Sequence, residues 1–163
     1  MKLINKMTSI LLLTSVFFIS CDIKKDNNIA FEDNPRIELL TLDNGNEVIV
    51  RKDYYGTYSF NNWNTYNLAN IEIHRIETAD YEIPKSRLLN LNDEVSSLDK
   101  KMPNWLKTEE VLEDIADVKE EFTKLIEEQN APMKNIKQNW DEFEEKFDDL
   151  REELSETVDE FQM

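Results

Sequence analysis

The stretch from residue 54 to 67 holds the side chains best suited to bind a ligand. Its candidate ligand-binding residues are aromatic: Tyr55, Tyr58, Trp63 and Tyr66. Between and around them lie amide side chains: Asn61, Asn62, Asn64 and Asn67. Aromatic faces can stack on sugar rings, and amides exchange hydrogen bonds with hydroxyl groups, so this composition suits a glycan. The alternative is a core of strand aromatics followed by an asparagine-rich turn, which the preference of aromatic residues for strands favours.

The titratable side chains give weaker signals for chemistry. His74 is the single histidine, and nothing near it in the sequence is a recognisable nucleophile for a general base. Carboxylates crowd the chain from Asp141 to Glu160, but a calcium site needs them to converge on one loop with a glycine turn, and Gly45 and Gly56 are the two glycines. We therefore predict no catalytic residue, no metal site and no cofactor. The carboxylates are interpreted as a solvated helix face, with attraction of a basic protein partner as the alternative.

The first 21 residues form a recognisable export signal. Lys2 and Lys6 precede an apolar run that ends at Ser20, and this run is too short for a membrane-spanning helix, which needs about 20 apolar residues. The next residue is the only cysteine. Phe18-Ile19-Ser20-Cys21 resembles the lipobox of bacterial lipoproteins, with Phe where Leu is most usual. The resemblance implies that residues 1–20 are a signal peptide, that cleavage occurs between Ser20 and Cys21, and that diacylglycerol is attached to Cys21.

The same resemblance implies a bacterial cell-envelope protein that acyl chains hold to a membrane. Asp22 resembles an inner-membrane retention signal, whereas Lys24-Lys25-Asp26 resembles a tag for the outer face. Both alternatives stay open at this stage, and we favour the outer membrane, on its periplasmic or surface face, over the inner membrane.

The charge of the chain excludes one class of partner. Without the signal peptide, 17 basic and 35 acidic residues remain, a net charge of −18, because Lys2 and Lys6 are the charged residues of that segment. Such a surface repels nucleic acid, so we predict no nucleic-acid partner. A single cysteine allows no disulfide within the chain, and only 2 glycines and 4 prolines favour long regular elements.

An α+β fold is predicted, with a small N-terminal antiparallel sheet of three to four strands before a predominantly helical half. Residues 21–35 are polar and form the lipidated tether, and residues 36–80 form the β region. Asn44-Gly45 lies between two apolar runs and predicts a hairpin with a type I′ turn, which would place Glu38 opposite Arg51. Residues 54–60 and 68–77 are the expected third and fourth strands, the latter with Ile71 and Ile73 on one face.

From residue 84 to 163 the spacing of the apolar residues becomes helical, and a three-helix hairpin or coiled-coil-like bundle is expected there. The first apolar stripe continues to Met102, where Pro103 ends it, and Trp105 would plug the joint that follows. Thr108 is the expected N-cap of the second helix. Asn130-Ala131-Pro132 interrupts the apolar pattern. This interruption is either a turn that folds the third helix back on the second or a stutter in one long helix, and we favour the turn. The third helix is long enough that part of its stripe would need a further partner.

These features favour a lipid-anchored envelope lipoprotein that is not an enzyme and acts as a protein-interaction or structural module. Its membrane contact would be the N-terminal lipid. A second copy or another envelope protein would bind the apolar helix stripes. The alternative is a surface glycan-binding lipoprotein that uses the aromatic and asparagine-rich stretch 54–67.

Overall fold

A computed structural model of the chain describes residues 34–79 and 85–162. The signal peptide, the Ser20–Cys21 cleavage and lipidation site and nearly all of the tether lie outside these residues. The described chain is an α+β fold, as predicted, with a three-stranded antiparallel sheet followed by four α-helices and one short 3₁₀ helix. Within it, no helix is both long and apolar enough to cross a membrane.

The sheet consists of β1 (Ile37–Thr41), β2 (Glu47–Lys52) and β3 (Tyr58–Phe60), with β2 in the centre. Two similar three-residue loops connect the strands. In each case the backbone carbonyl of the residue before the loop accepts a hydrogen bond from the NH group of the loop glycine. Gly45 donates to Leu42 at 2.8 Å, and Gly56 donates to Asp53 at 3.3 Å. Both glycines hold a left-handed φ, +77° and +89°, which is the position that a three-residue hairpin loop reserves for glycine.

The first hairpin therefore differs from the prediction by one residue. In a type I′ turn Asn44 would also need a positive φ, but the described non-glycine residues with positive φ are Asn62 and Lys101. The three-residue loop places Ile37 opposite Arg51 and Glu38 opposite Val50, so the predicted Glu38–Arg51 pair is wrong. Glu38 instead forms an ion pair of 3.2 Å with Lys52 of β2.

The predicted fourth strand is wrong, because residues 64–77 form helix α1 (Asn64–Glu77). Its buried residues follow a helical spacing, namely Tyr66, Ala69, Asn70, Ile73 and Ile76. Ile73 is fully buried, whereas Ile71 is 45 % exposed, so the two isoleucines lie on different faces. The β-branched residues that suggested a strand are accommodated because burial against the sheet and the last helix outweighs local propensity.

The helical half follows the predicted order with one shortened element. Helix α2 (Lys85–Val95) ends before the predicted limit at Met102, although Leu98 and Met102 are both buried in the turns that follow. The carbonyl of Leu98 accepts a 2.8 Å hydrogen bond from the Trp63 indole nitrogen. A tertiary contact from α1 thus binds a backbone group that a continuing helix would use for itself.

The two longest helices form an antiparallel hairpin, α3 (Glu109–Glu127) and α4 (Met133–Glu160). The side chain of Thr108 accepts the Val111 NH at 3.1 Å, which confirms the predicted N-cap. The turn interpretation of residues 130–132 is also confirmed, because α4 returns along α3 with Phe122 and Phe143 ring centroids 5.1 Å apart.

Helix α4 buries its apolar stripe from Trp140 to Val158 within this one chain, whereas Met133 at its start is 66 % exposed. The buried residues are Trp140, Phe143, Phe147, Leu150, Leu154 and Val158. Beyond α3, cover comes from α1, where the Tyr66 and Phe147 rings stack 5.8 Å apart, and from the 3₁₀ helix Asn104–Leu106, where Trp105 meets Phe161 at 5.7 Å. As expected, Trp105 packs at the joint between α2 and α3, and it also contacts the end of α4.

Candidate functional site

Three of the four predicted ligand-binding aromatics belong to the core. Tyr58, Trp63 and Tyr66 are at most 3 % exposed, and the Trp63 and Tyr66 rings stack 4.8 Å apart. Tyr58 donates its hydroxyl hydrogen bond to Glu38 at 2.9 Å. Their faces contact protein and are not available to a sugar ring. Tyr55 alone of the four is exposed, at 56 %.

Tyr55 lies on an exposed apolar surface that the β2–β3 loop and α1 form together. The loop presents Tyr54 and Tyr55, which are 80 % and 56 % exposed, and the outer face of α1 adds Leu68 and Ile71, at 51 % and 45 %. We call these four residues the tyrosine surface. Ile71 lines two hollows of this surface, one of about 250 Å³ beside both tyrosines and one of about 200 Å³ beside Leu68.

The tyrosines are held in place by charged or titratable neighbours. The Tyr55 ring stacks on the His74 ring with centroids 4.3 Å apart, and the Arg36 guanidinium lies 5.7 Å from the centre of the Tyr54 ring. The Tyr54 and Tyr55 rings themselves meet edge to face at 5.6 Å. The surface is therefore a supported structure, although its side chains are exposed.

A polar network supports the loop from below. The Asp53 carboxylate accepts the backbone NH groups of Tyr55 and Thr57, at 2.8 and 3.1 Å, and the Thr57 hydroxyl at 2.6 Å. The Asn70 amide, which is buried on α1, donates to Asp53 and Thr57 at 3.3 and 3.0 Å. This network was not predicted from the sequence. An Asx turn at Asp53, before a glycine, can be recognised in the sequence, but the partner of Asp53, Asn70, lies 17 residues away and cannot.

Arg151 of α4 completes the network from the other side. Its side chain is 9 % exposed and donates to Asn70 at 2.8 Å, to Glu77 at 3.1 Å and to Asp148 at 2.5 Å. The guanidinium also lies over the Phe147 ring, 4.9 Å from its centre. Arg151 thus joins α4 to α1, and through Asn70 to the β2–β3 loop. The only sequence signal was that Arg151 is one of two cations, with Lys146, among the carboxylates from Asp141 to Glu160.

Glu77 connects Arg151 to His74. One of its oxygens accepts from Arg151, and the other lies 2.5 Å from Nδ1 of His74. His74 falls within the predicted fourth strand, but on α1 it faces Glu77, one turn along the same helix. Its Nε2 lies 3.9 Å from Asp53 and has no hydrogen-bond partner in the described part of the chain.

The arrangement gives His74 an orienting carboxylate but no nucleophile. A His–carboxylate pair performs nucleophilic catalysis only when the second ring nitrogen is within hydrogen-bond reach of a hydroxyl or thiol. No such bond to Nε2 exists among the described residues. What the contacts do support is a packed polar junction that fixes the β2–β3 loop, α1 and α4 relative to one another.

One acidic residue of α4, Glu144, is partly buried and interacts electrostatically with Glu77 of the polar junction. The pKa of Glu144 is raised, first by burial and then by the negative charge of Glu77, while the hydrogen bond from the Trp140 indole, 2.9 Å, opposes the shift. Burial also raises the pKa of the Tyr66 hydroxyl well above its usual range. In the described part of the chain, no group of three or more His, Cys, Asp or Glu side chains is placed to hold a metal ion.

A second concave region lies at the far end of the sheet, around Trp105. It is a cleft of about 380 Å³ that we call the tryptophan cleft. Its walls combine one end of β2, the Asn61-Asn62 turn after β3 and the segment before α3. The lining residues are Glu47, Val48, Ile49, Phe60, Asn61, Asn62, Lys101, Pro103 and Trp105.

Comparison with known proteins assigns no family to the chain. No family model matches it, and neither a curated protein nor a solved structure matches it significantly.

Proposed function

We propose that this protein is a lipid-anchored envelope lipoprotein that binds another protein without catalysis, through the part of the chain that the structure describes. The anchor is inferred from the lipobox-like residues before and including Cys21. The observation that carries the binding role is the tyrosine surface, where Tyr54, Tyr55, Leu68 and Ile71 are all at least 45 % exposed. Clusters of exposed apolar residues are typical of protein interaction sites, and tyrosine is enriched in them.

The helix stripes are weaker candidates for this contact. The sequence suggested that α4 would need a partner to cover its stripe, but every stripe residue from Trp140 to Val158 is buried within the fold, where α4 contacts α3, β3 and α1. A partner that used them would have to open the domain. We therefore infer that the contact is made on the tyrosine surface, which requires no unfolding.

The support beneath the tyrosine surface also favours binding. Asp53 fixes the backbone of the β2–β3 loop through two NH groups, and His74 fixes the Tyr55 ring. Side chains that are already ordered lose less conformational entropy when a partner binds, so more of the contact energy appears as affinity.

The partner is inferred to be a different protein with basic residues around an apolar centre. The chain carries a formal charge of −16, so two copies brought face to face would repel each other. A basic rim on the partner would instead be attracted over a distance and would raise the rate of association.

The anchor is tested by metabolic labelling with an alkyne fatty acid in bacteria that produce the full chain. We expect labelling of the unaltered protein and none of Cys21→Ser, which has no thiol to acylate. Equal labelling of both proteins would contradict the lipoprotein assignment, whatever the outcome at the tyrosine surface.

The contact is tested by placing a photo-crosslinking amino acid at Ile71 and, as a control, at Leu112 of α3, which is similarly exposed at 44 %. We expect a discrete crosslinked product in the envelope from position 71 that is absent from position 112. The product should disappear when Tyr54 and Tyr55 are both changed to Ser. Identical products from both positions, or a product containing two copies of this chain, would refute the proposed contact.

A further inference from the structure

The tryptophan cleft combines two sequence features that lie 43 residues apart, from Asn62 to Trp105. The asparagine-rich turn contributes Asn61 and Asn62, and the joint between α2 and α3 contributes Trp105. Trp63 and Trp140 are 0 % exposed, whereas Trp105 is half-buried. The cleft therefore places the most accessible indole of the protein beside two exposed amides.

We propose that the tryptophan cleft is a binding site for a neutral saccharide. An aromatic face beside hydrogen-bonding groups matches a sugar ring, which has apolar C–H faces and hydroxyl groups at its edge. The cleft volume of about 380 Å³ is within the range of small-ligand sites. Its two charged lining residues, Glu47 and Lys101, are of opposite sign, so the site has no net charge to attract an ion.

The walls of the cleft are fixed before any ligand arrives. Asn61 accepts a hydrogen bond from Arg51 at 2.5 Å through its amide oxygen, which leaves the amide NH₂ as the group it can offer. The indole of Trp105 is held by edge-to-face contacts with Phe60 at 5.9 Å and with Phe161 at 5.7 Å.

The backbone of the cleft is unusual on both sides. Asn62 and Lys101 are the described non-glycine residues with left-handed φ, +69° and +59°, and both line this one cleft. Strained backbone is concentrated at ligand sites, because a fold retains it where it positions groups for binding. The open sheet edge adds backbone hydrogen-bonding groups, since β3 pairs with β2 only from Val50 to Lys52 and leaves Glu47 and Ile49 without a partner on that side of β2.

The test is a titration of the full chain, in a detergent without a sugar head group, with maltose, cellobiose and N,N′-diacetylchitobiose. Binding is measured as protection of tryptophan fluorescence from acrylamide, a neutral quencher that reaches the half-buried Trp105 more readily than the two buried indoles. We expect saturable protection by at least one of these disaccharides. No protection by any of them up to millimolar concentration would overturn the proposal.

Variants locate the site. Asn62→Gly removes the amide and suits the left-handed φ, so the fold should persist while binding weakens about tenfold. Tyr55→Ala is the control, because it alters the exposed aromatic of the tyrosine surface and should leave saccharide affinity unchanged. Affinity lost in Tyr55→Ala and retained in Asn62→Gly would overturn the proposal. Thermal unfolding by circular dichroism verifies that both variants are folded.

Discussion

The helical hairpin of α3 and α4 and the unit formed by the sheet and α1 are stabilised in different ways. The hairpin packs one apolar stripe on another across a single turn, with Phe122 against Phe143 as a typical contact. The sheet and α1 rely in addition on directed polar contacts between distant residues, such as the hydrogen bond from Asn70 of α1 to Asp53 at the start of the β2–β3 loop, 17 residues apart.

This difference decides where exposed aromatic residues occur. In the hairpin every aromatic of the α4 stripe from Trp140 to Phe147 is fully buried. In the sheet unit a polar network fixes the β2–β3 loop from below, so Tyr54 and Tyr55 are not required for the core and remain exposed. Because polar contacts hold the loop in place, its apolar side chains are not needed for packing and can bind a partner. The residues of an apolar stripe are needed for packing and cannot do so.

We expect the helical hairpin to unfold when a charged side chain is introduced into its apolar stripe. Phe147 is fully buried between the Tyr66 ring, 5.8 Å away, and the Phe143 ring, 6.1 Å away. Phe147→Asp loses this packing and buries a carboxylate, at a cost of roughly 5 kcal/mol or more, which is comparable to the whole stability of a small domain. We expect no cooperative urea transition by circular dichroism.

The control for this change is Phe147→Leu, which stays apolar and should cost about 1 to 1.5 kcal/mol. A Phe147→Asp protein that unfolds with the midpoint of the unaltered chain would show that the stripe is not the core of the hairpin.

The polar junction should depend on Arg151 more than on any exposed ion pair. Arg151→Met keeps an apolar stem over Phe147 but leaves Glu77 and the Asn70 oxygen without their donor. Loss of one partner from a buried charged pair costs about 3 kcal/mol. Urea denaturation should show this loss, and Lys146→Met, which breaks an exposed pair with Asp149 at 2.9 Å, should cost less than about 1 kcal/mol. Equal effects of both changes would contradict a special role for the junction.

The same contrast explains which parts of the fold could be predicted from sequence. The N-cap at Thr108, the turn at residues 130–132 and the α4 stripe are repeated or local patterns, and the structure confirms them. A stripe of spacing 3 and 4 specifies a helix, because several residues must all lie on one face. The α+β order of the elements followed from the same patterns.

Residues 68–77 were predicted as a strand, in which Ile71 and Ile73 would lie on one face. The helix forms because Tyr66, Ile73 and Ile76 are buried in the core, and Asn70 bonds a loop residue 17 positions earlier. Such long-range contacts leave no mark on local spacing. The candidate site shows the same limit, since Tyr58, Trp63 and Tyr66 are typical ligand-binding types whose burial only the tertiary structure reveals.

The stability of the sheet unit should also depend on the left-handed backbone conformation of one glycine, which the helical hairpin does not require. Gly45 holds φ +77°, and a Cβ there would meet nothing within 4 Å, so Gly45→Ala would cost only conformational energy, about 1 kcal/mol. Gly45→Asn is the matched variant, because asparagine tolerates a left-handed φ and should cost less. Thermal unfolding of both proteins compares them, and an alanine variant as stable as the asparagine variant would contradict the three-residue loop.

The smallest expected effect is a pH dependence that originates where the two regions meet. Glu144 of α4 has a raised pKa, mainly from burial and then from Glu77 of α1. The folded chain therefore holds this proton more tightly than the unfolded chain, and the associated stability is complete below the unfolded pKa of about 4.3 and is lost as pH rises through the higher folded value. The pKa of Asp114 and of Glu153 is raised in the same direction, burial being the first cause in each. The urea midpoint should accordingly be higher at pH 4.5, close to the unfolded pKa, than at pH 7.5.

Glu144→Gln isolates the contribution of this carboxyl group, because its amide oxygen can still accept the Trp140 hydrogen bond. The variant should be more stable than the unaltered chain at pH 7.5 and show a smaller rise in stability between pH 7.5 and pH 4.5. Glu145→Gln removes an equal charge from the exposed face of the same helix and controls for the general repulsion of a chain with charge −16. If both variants flatten the pH dependence equally, the effect comes from the net charge of the helix. If Glu144→Gln alone does so, the effect comes from the raised pKa of this one carboxyl group, to which burial in the helical hairpin contributes first and the negative charge of Glu77 on α1 second.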